Sequence, residues 1–83
     1  MKESIINCLI KLFGREIEIK RIDTMSVYFV RKEKVFRIWY KTKFVEEIEE
    51  ERALPVSKEA RAIGLKIKEY FSEKEGEDGK ERV

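Results

Sequence analysis

Val27-Tyr28-Phe29-Val30-Arg31-Lys32-Glu33-Lys34-Val35-Phe36-Arg37-Ile38-Trp39-Tyr40 is the stretch that decides the fold. Two runs of β-branched and aromatic residues flank four charged ones, the pattern of antiparallel strands joined by a polar turn. The connection has no Asn-Gly or Asp-Gly to announce a turn type, yet any even-length connection pairs the same faces. Alternation then sends Val27, Phe29, Phe36, Ile38 and Tyr40 to one side of the hairpin. Tyr28, Val30, Lys32, Val35, Arg37, Trp39 and Lys41 go to the other.

The first side reads as core. The second interleaves Tyr28 and Trp39 with Lys32, Arg37 and Lys41, and rings set among cations are how sheet surfaces stack bases while neutralising phosphates. The structural alternative covers this side with a helix or a second subunit, because strands apolar on both faces usually belong to a doubly covered sheet.

Working outward, Glu16 to Lys20 alternates Ile17 and Ile19 with charged residues, then Asp23, Thr24 and Ser26 break the run, so a short strand precedes the hairpin. Before it, residues 4–13 place Ile5, Cys8, Leu9 and Leu12 on one helical face, with Ile6, Ile10 and Phe13 beside it and Gly14 as C-terminal cap. Only Glu3, Asn7 and Lys11 form a polar stripe. So much apolar circumference wants burial on more than one side and predicts a homodimer.

Beyond the hairpin, residues 44–54 fit either a strand, through Phe44, Glu46 and Ile48, or a Glu-rich helix. Pro55 should stop that element. Ser57 is placed to cap a helix carrying Val56, Ala60, Ile63, Ile67, Tyr70 and Phe71 at helical spacing to about residue 73. Lys58 to Phe71, with Gly64 at its centre, resembles the two-helix half of ribbon-helix-helix regulators, which implies a turn at Gly64 and a DNA-reading strand before it. The unbroken apolar step across Gly64 predicts one continuous helix instead. Residues 75–83 hold two Gly and six charges and predict a disordered charged tail.

The order helix, three or four antiparallel strands, helix predicts an α+β domain over residues 1–74, its central hairpin packed by the N- and C-terminal helices. With 83 residues in all, a second domain would leave about 40 for each core, roughly the size below which chains need metals, disulfides or partners.

Charge is 43% of the composition, well above the roughly 25% usual for soluble domains, yet the net is only +2. The near-neutral total hides an asymmetry: residues 15–43 carry +5 and residues 44–55 carry −4. The acidic run Glu46–Glu51 is then suited to pair with the basic hairpin. Abundant Glu and Lys with no Gln and a single Asn is the habit of thermophile proteins, so a thermophilic source is expected.

With no His and only Cys8, the chain lacks the usual zinc ligands, cannot close an internal disulfide and has no imidazole base. Cys8 reads as a buried thiol. Glu18, Lys20 and Asp23 suggest a metal-dependent nuclease only superficially, since the hairpin strands supply no further carboxylate. No enzyme, metal or cofactor is therefore expected. The longest apolar stretch, residues 5–13, is far short of the roughly 20 needed to cross a bilayer, and no signal-peptide pattern follows it, so a cytoplasmic location without membrane contact is expected.

Two functions follow. The first is a small non-catalytic nucleic-acid-binding or regulatory module, with Tyr28 and Trp39 stacking and Lys32, Arg37 and Lys41 on phosphates. The second is a protein-interaction module, such as an accessory subunit, an inhibitor or a factor of a mobile element, docking through the sheet face or first helix. Exposure of Trp39 discriminates: facing solvent it favours the first, and covered it favours the second or a structural role.

Overall fold

The hairpin forms with the pairing that alternation predicts. A computed structural model describes residues 2–54 and 57–81, with side chains as far as Glu73. Strand β2 (Ser26–Arg31) pairs antiparallel with β3 (Lys34–Trp39), Arg31 opposite Lys34 and Phe29 opposite Phe36. This leaves a two-residue loop, Lys32-Glu33, with φ of 52° and 65°. Positive φ at both positions gives the turn the twist that flanking strands prefer, even though neither residue is Gly or Asn.

Strand β1 (Ile17–Ile22) adds to the free edge of β2, with a register shift between Ile19 and Arg21. Such an irregularity, with Lys20 and Arg21 beside it, blunts an edge that otherwise offers unpaired backbone groups to another chain. On the far side β4 (Val45–Glu49) pairs with β3, and a two-residue β5 (Arg52–Ala53) folds back on β4 through Glu50-Glu51. Those two residues also have positive φ, 52° and 65°. The ambiguous segment is therefore a second hairpin, and the sheet has five strands in the order β1-β2-β3-β4-β5 rather than three or four.

Helix α1 (Lys2–Phe13) ends at Gly14, whose φ of +53° is the left-handed conformation expected of a C-terminal cap. Helix α2 (Lys58–Glu81) passes through Gly64 without a turn, and its backbone continues past residue 73, where the apolar spacing places its end. Ser57 caps it: its Oγ accepts from Ala60 N–H at 3.1 Å and donates to the Glu47 carboxylate at 2.7 Å. Glu47 is buried on the helix-facing side of β4, so the cap satisfies a carboxylate the sheet could not. Pro55 and Val56, expected to end one element and begin the next, lie outside the described residues, as do the side chains of the tail beyond Glu73.

Ile5, Cys8, Leu9 and Phe13 of α1 and Ala60, Ile63 and Ile67 of α2 share one buried cluster with Val27, Phe29, Phe36, Ile38, Tyr40 and Val45. Both helices thus lie on the same side of the sheet. Phe29 and Phe36 stack at its centre with ring centroids 5.5 Å apart. The burial follows from alternation: each core residue of the hairpin is one the period assigned inward.

Candidate functional site

The helices leave the opposite side of the sheet without a helical layer. Register places on this outer face Glu18 and Arg21 of β1, Tyr28 and Val30 of β2, Val35, Arg37 and Trp39 of β3, Glu46 and Ile48 of β4, and Ala53 of β5. Tyr28, Val30, Val35, Arg37, Trp39, Glu46 and Ile48 are half-buried, sheltered by one another. Among the described residues, the covering helix of the structural alternative is therefore absent from this face.

At its centre Arg37 and Glu46 stand opposite each other on adjacent strands. Arg37 Nε and Nη2 donate to Glu46 Oε2 at 3.0 and 2.5 Å, and Trp39 Nε1 donates to the same oxygen at 3.2 Å. Arg37 Nη1 donates to the Tyr28 hydroxyl at 2.9 Å. The guanidinium also lies 4.5 Å from the Trp39 ring centroid and 5.6 Å from that of Tyr28. Arg21 approaches the Tyr28 ring to 5.2 Å. The planar, weakly hydrated guanidinium suits this sandwich of carboxylate and rings, a role Lys could not fill. The hydrogen bond to Glu46 raises the Arg37 pKa further above its ordinary value, outweighing burial, which works the other way.

Of the five residues the sequence nominates, Tyr28, Arg37 and Trp39 come together as one connected cluster. Lys32 and Lys41 do not join it. Lys32 sits in the β2–β3 turn and Lys41 just past the opposite end of β3, separated by about the 20 Å length of a six-residue strand. Both are exposed. The cluster's fourth member, Glu46, is absent from the nominated set; its signal was the acidic run's fitness to pair with the basic hairpin, which the Arg37–Glu46 pair realises within one chain.

The outer face also differs in charge from a polyanion surface. Three cations on or beside its strands, Lys20, Arg21 and Arg37, are each paired with a carboxylate, Glu18, Asp23 and Glu46. Glu18 lies beside Lys20 at 3.3 Å, an exposed pair worth little to stability, and Asp23 accepts from Arg21 Nε at 2.9 Å. Among the described residues no group of three or more His, Cys, Asp or Glu is placed to hold a metal ion. No described helix is long and apolar enough to cross a membrane. Comparison with known protein families, curated proteins and solved structures finds no match for this chain.

Proposed function

We propose that the protein is a non-catalytic interaction module whose outer sheet face docks a protein partner. The observation that carries this reading is the Tyr28–Arg37–Glu46–Trp39 cluster, set among Val30, Val35 and Ile48 on a face without a helical layer. Trp, Tyr and Arg in connected contact, flanked by aliphatic side chains, form the composition of a binding hot spot. The face balances its own charge, so it lacks the surplus of cations that neutralises phosphates. Arg37 already has a carboxylate. A nucleic-acid ligand would have to take it from Glu46, while a protein partner can pack over the pair as it stands.

The leading alternative remains nucleic acid on the same rings, with Lys32 and Lys41 reaching phosphates from the two ends of the strand. The position of Trp39, half-buried on a face that no described helix covers, favours it. One experiment separates them. The single Trp39 is titrated by fluorescence with duplex and single-stranded oligonucleotides at low and moderate salt, and the chain is used in parallel to capture partners from its source cells, beside Val35→Lys. The reading expects no saturable oligonucleotide signal, together with a captured protein that Val35→Lys loses. A saturable, steeply salt-dependent oligonucleotide response that disappears in Arg37→Ala would overturn it.

A further inference from the structure

Helix α2 and the β4 edge enclose a surface of different chemistry. Strand β5 pairs only with Ile48 and Glu49, and Leu54 N–H adds one bond to the Glu47 carbonyl at 2.9 Å. The start of β4 is therefore flanked by α2 across a groove of about 610 Å³. Phe44, Leu54 and Leu65 supply its apolar lining, and Lys43, Arg61 and Lys68 its cations. Phe44 and Leu65, 55% and 62% exposed, stand together at this groove. A shallower depression shared by Trp39, Thr42, Phe44 and Lys68 leads from this groove towards the outer face.

The charges of the groove do not balance at its surface. Its two carboxylates are engaged: Glu46 accepts from Arg37 and Trp39, and buried Glu47 accepts from Ser57. Among the described residues neither Arg61 nor Lys68 makes an ion pair, and Lys43 faces a ring, its Nζ 4.8 Å from the centroid of Phe71. Three cations thus border an apolar lining whose two carboxylates, among the described residues, are already engaged elsewhere.

We infer that this groove docks an acidic peptide segment carrying an apolar side chain. The apolar side chain enters between Phe44, Leu54 and Leu65, and the flanking carboxylates meet Lys68 and the fork of Arg61, which suits them bidentately. The aliphatic lining decides against a nucleic-acid strand, which needs successive flat rings to stack its bases, whereas this groove offers Phe44 alone. The inference stands apart from the outer-face reading, because the residues that would hold the peptide, Phe44, Leu54, Arg61, Leu65 and Lys68, are not those of the outer-face cluster, which meets the groove only at Glu46 and Trp39.

The test is a selection of random linear peptides displayed on phage against the whole chain, followed by anisotropy titration of the enriched peptide, synthesised with a fluorescent label. The variants are Arg61→Glu with Lys68→Glu, Leu65→Ser, and Val35→Lys on the outer face. All replace side chains outside the buried core, and circular dichroism checks that each folds. Enriched peptides should be acidic around one large apolar residue, and the double charge reversal should weaken them by at least about tenfold. Leu65→Ser should weaken them too, and Val35→Lys should leave them unchanged. No enrichment, enrichment of neutral or basic peptides, or binding indifferent to both groove variants overturns the proposal. So does single-stranded oligothymidylate that binds the wild type, fails on the charge reversal and finds no peptide competitor.

Discussion

One oxygen of Glu46 accepts from Arg37 Nε, Arg37 Nη2 and Trp39 Nε1, so Glu46→Ala removes the acceptor of three donors at once. The side chains of Arg37 and Glu46 are 22% and 18% exposed, sheltered enough that the loss is not simply made good by water. Stability should fall by about 1–3 kcal/mol in urea denaturation, the usual cost of stranding partly buried donors. The same substitution frees Arg37, so it should raise affinity for oligonucleotides above that of the wild type. If affinity stays flat, Glu46 is not what withholds Arg37 from phosphate.

Tyr40 offers a second test at this scale. Burial, with a smaller contribution from nearby Asp23, raises its pKa above the ordinary value, and its hydroxyl donates to the Asp23 carbonyl at 2.9 Å. A raised pKa in the folded state means stability is fully present below the unfolded-state value of about 10 and is lost as pH climbs through the folded one. Tyr40→Phe should cost about 0.5–1.5 kcal/mol at neutral pH and make the alkaline decline shallower. An unchanged alkaline limb in denaturation curves would place that decline on other groups. Alternation alone put Tyr28, Arg37 and Trp39 on one face and Tyr40 on the other. Glu46 was out of reach, because a face can be assigned only after its segment is known to be a strand.

At the scale of elements, both tight hairpins close on charged pairs, Lys32-Glu33 and Glu50-Glu51, with positive φ at all four residues. For side chains with a Cβ this conformation is disfavoured, and Asn-Gly adopts it readily. Replacing either pair by Asn-Gly should therefore stabilise the chain, by about 1 kcal/mol per turn, seen as a higher urea midpoint with unchanged slope. A lower midpoint would show that the charged side chains contribute more in place than their backbone costs. This is also why the second hairpin was illegible. Glu50-Glu51 lacks every usual turn signal, and the Glu-rich composition around it speaks for helix. What decides for strand is non-local: Ile38 opposite Val45 and Arg37 opposite Glu46 in the β3 ladder, and Ser57 answering buried Glu47. Local signals were sufficient where caps exist, as at Gly14 and Ser57, both of which behave as their residue types dictate.

For the whole molecule, the consequential feature is a sheet with helices on one side only. Val35 and Ile38 sit on the same central strand, Val35 half-buried outside and Ile38 fully buried within. In an isolated chain, Ile38→Ala should cost about 2–5 kcal/mol, a large share of the 5–15 kcal/mol that folded domains possess. Val35→Ala should cost less than about 1 kcal/mol, since its surroundings are already partly water. A homodimer closing over the outer face would change both the size and the form of this result. Val35→Ala would then approach the cost of Ile38→Ala, and the denaturation midpoint would rise with protein concentration, because association stabilises only the folded state. Excess apolar surface on α1, with Ile10 53% exposed, allows a dimer that leaves the outer face open. In that case the midpoint depends on concentration while Val35→Ala stays mild. Measured together over a range of concentrations, the two variants therefore distinguish a free docking face from one occupied by a second copy.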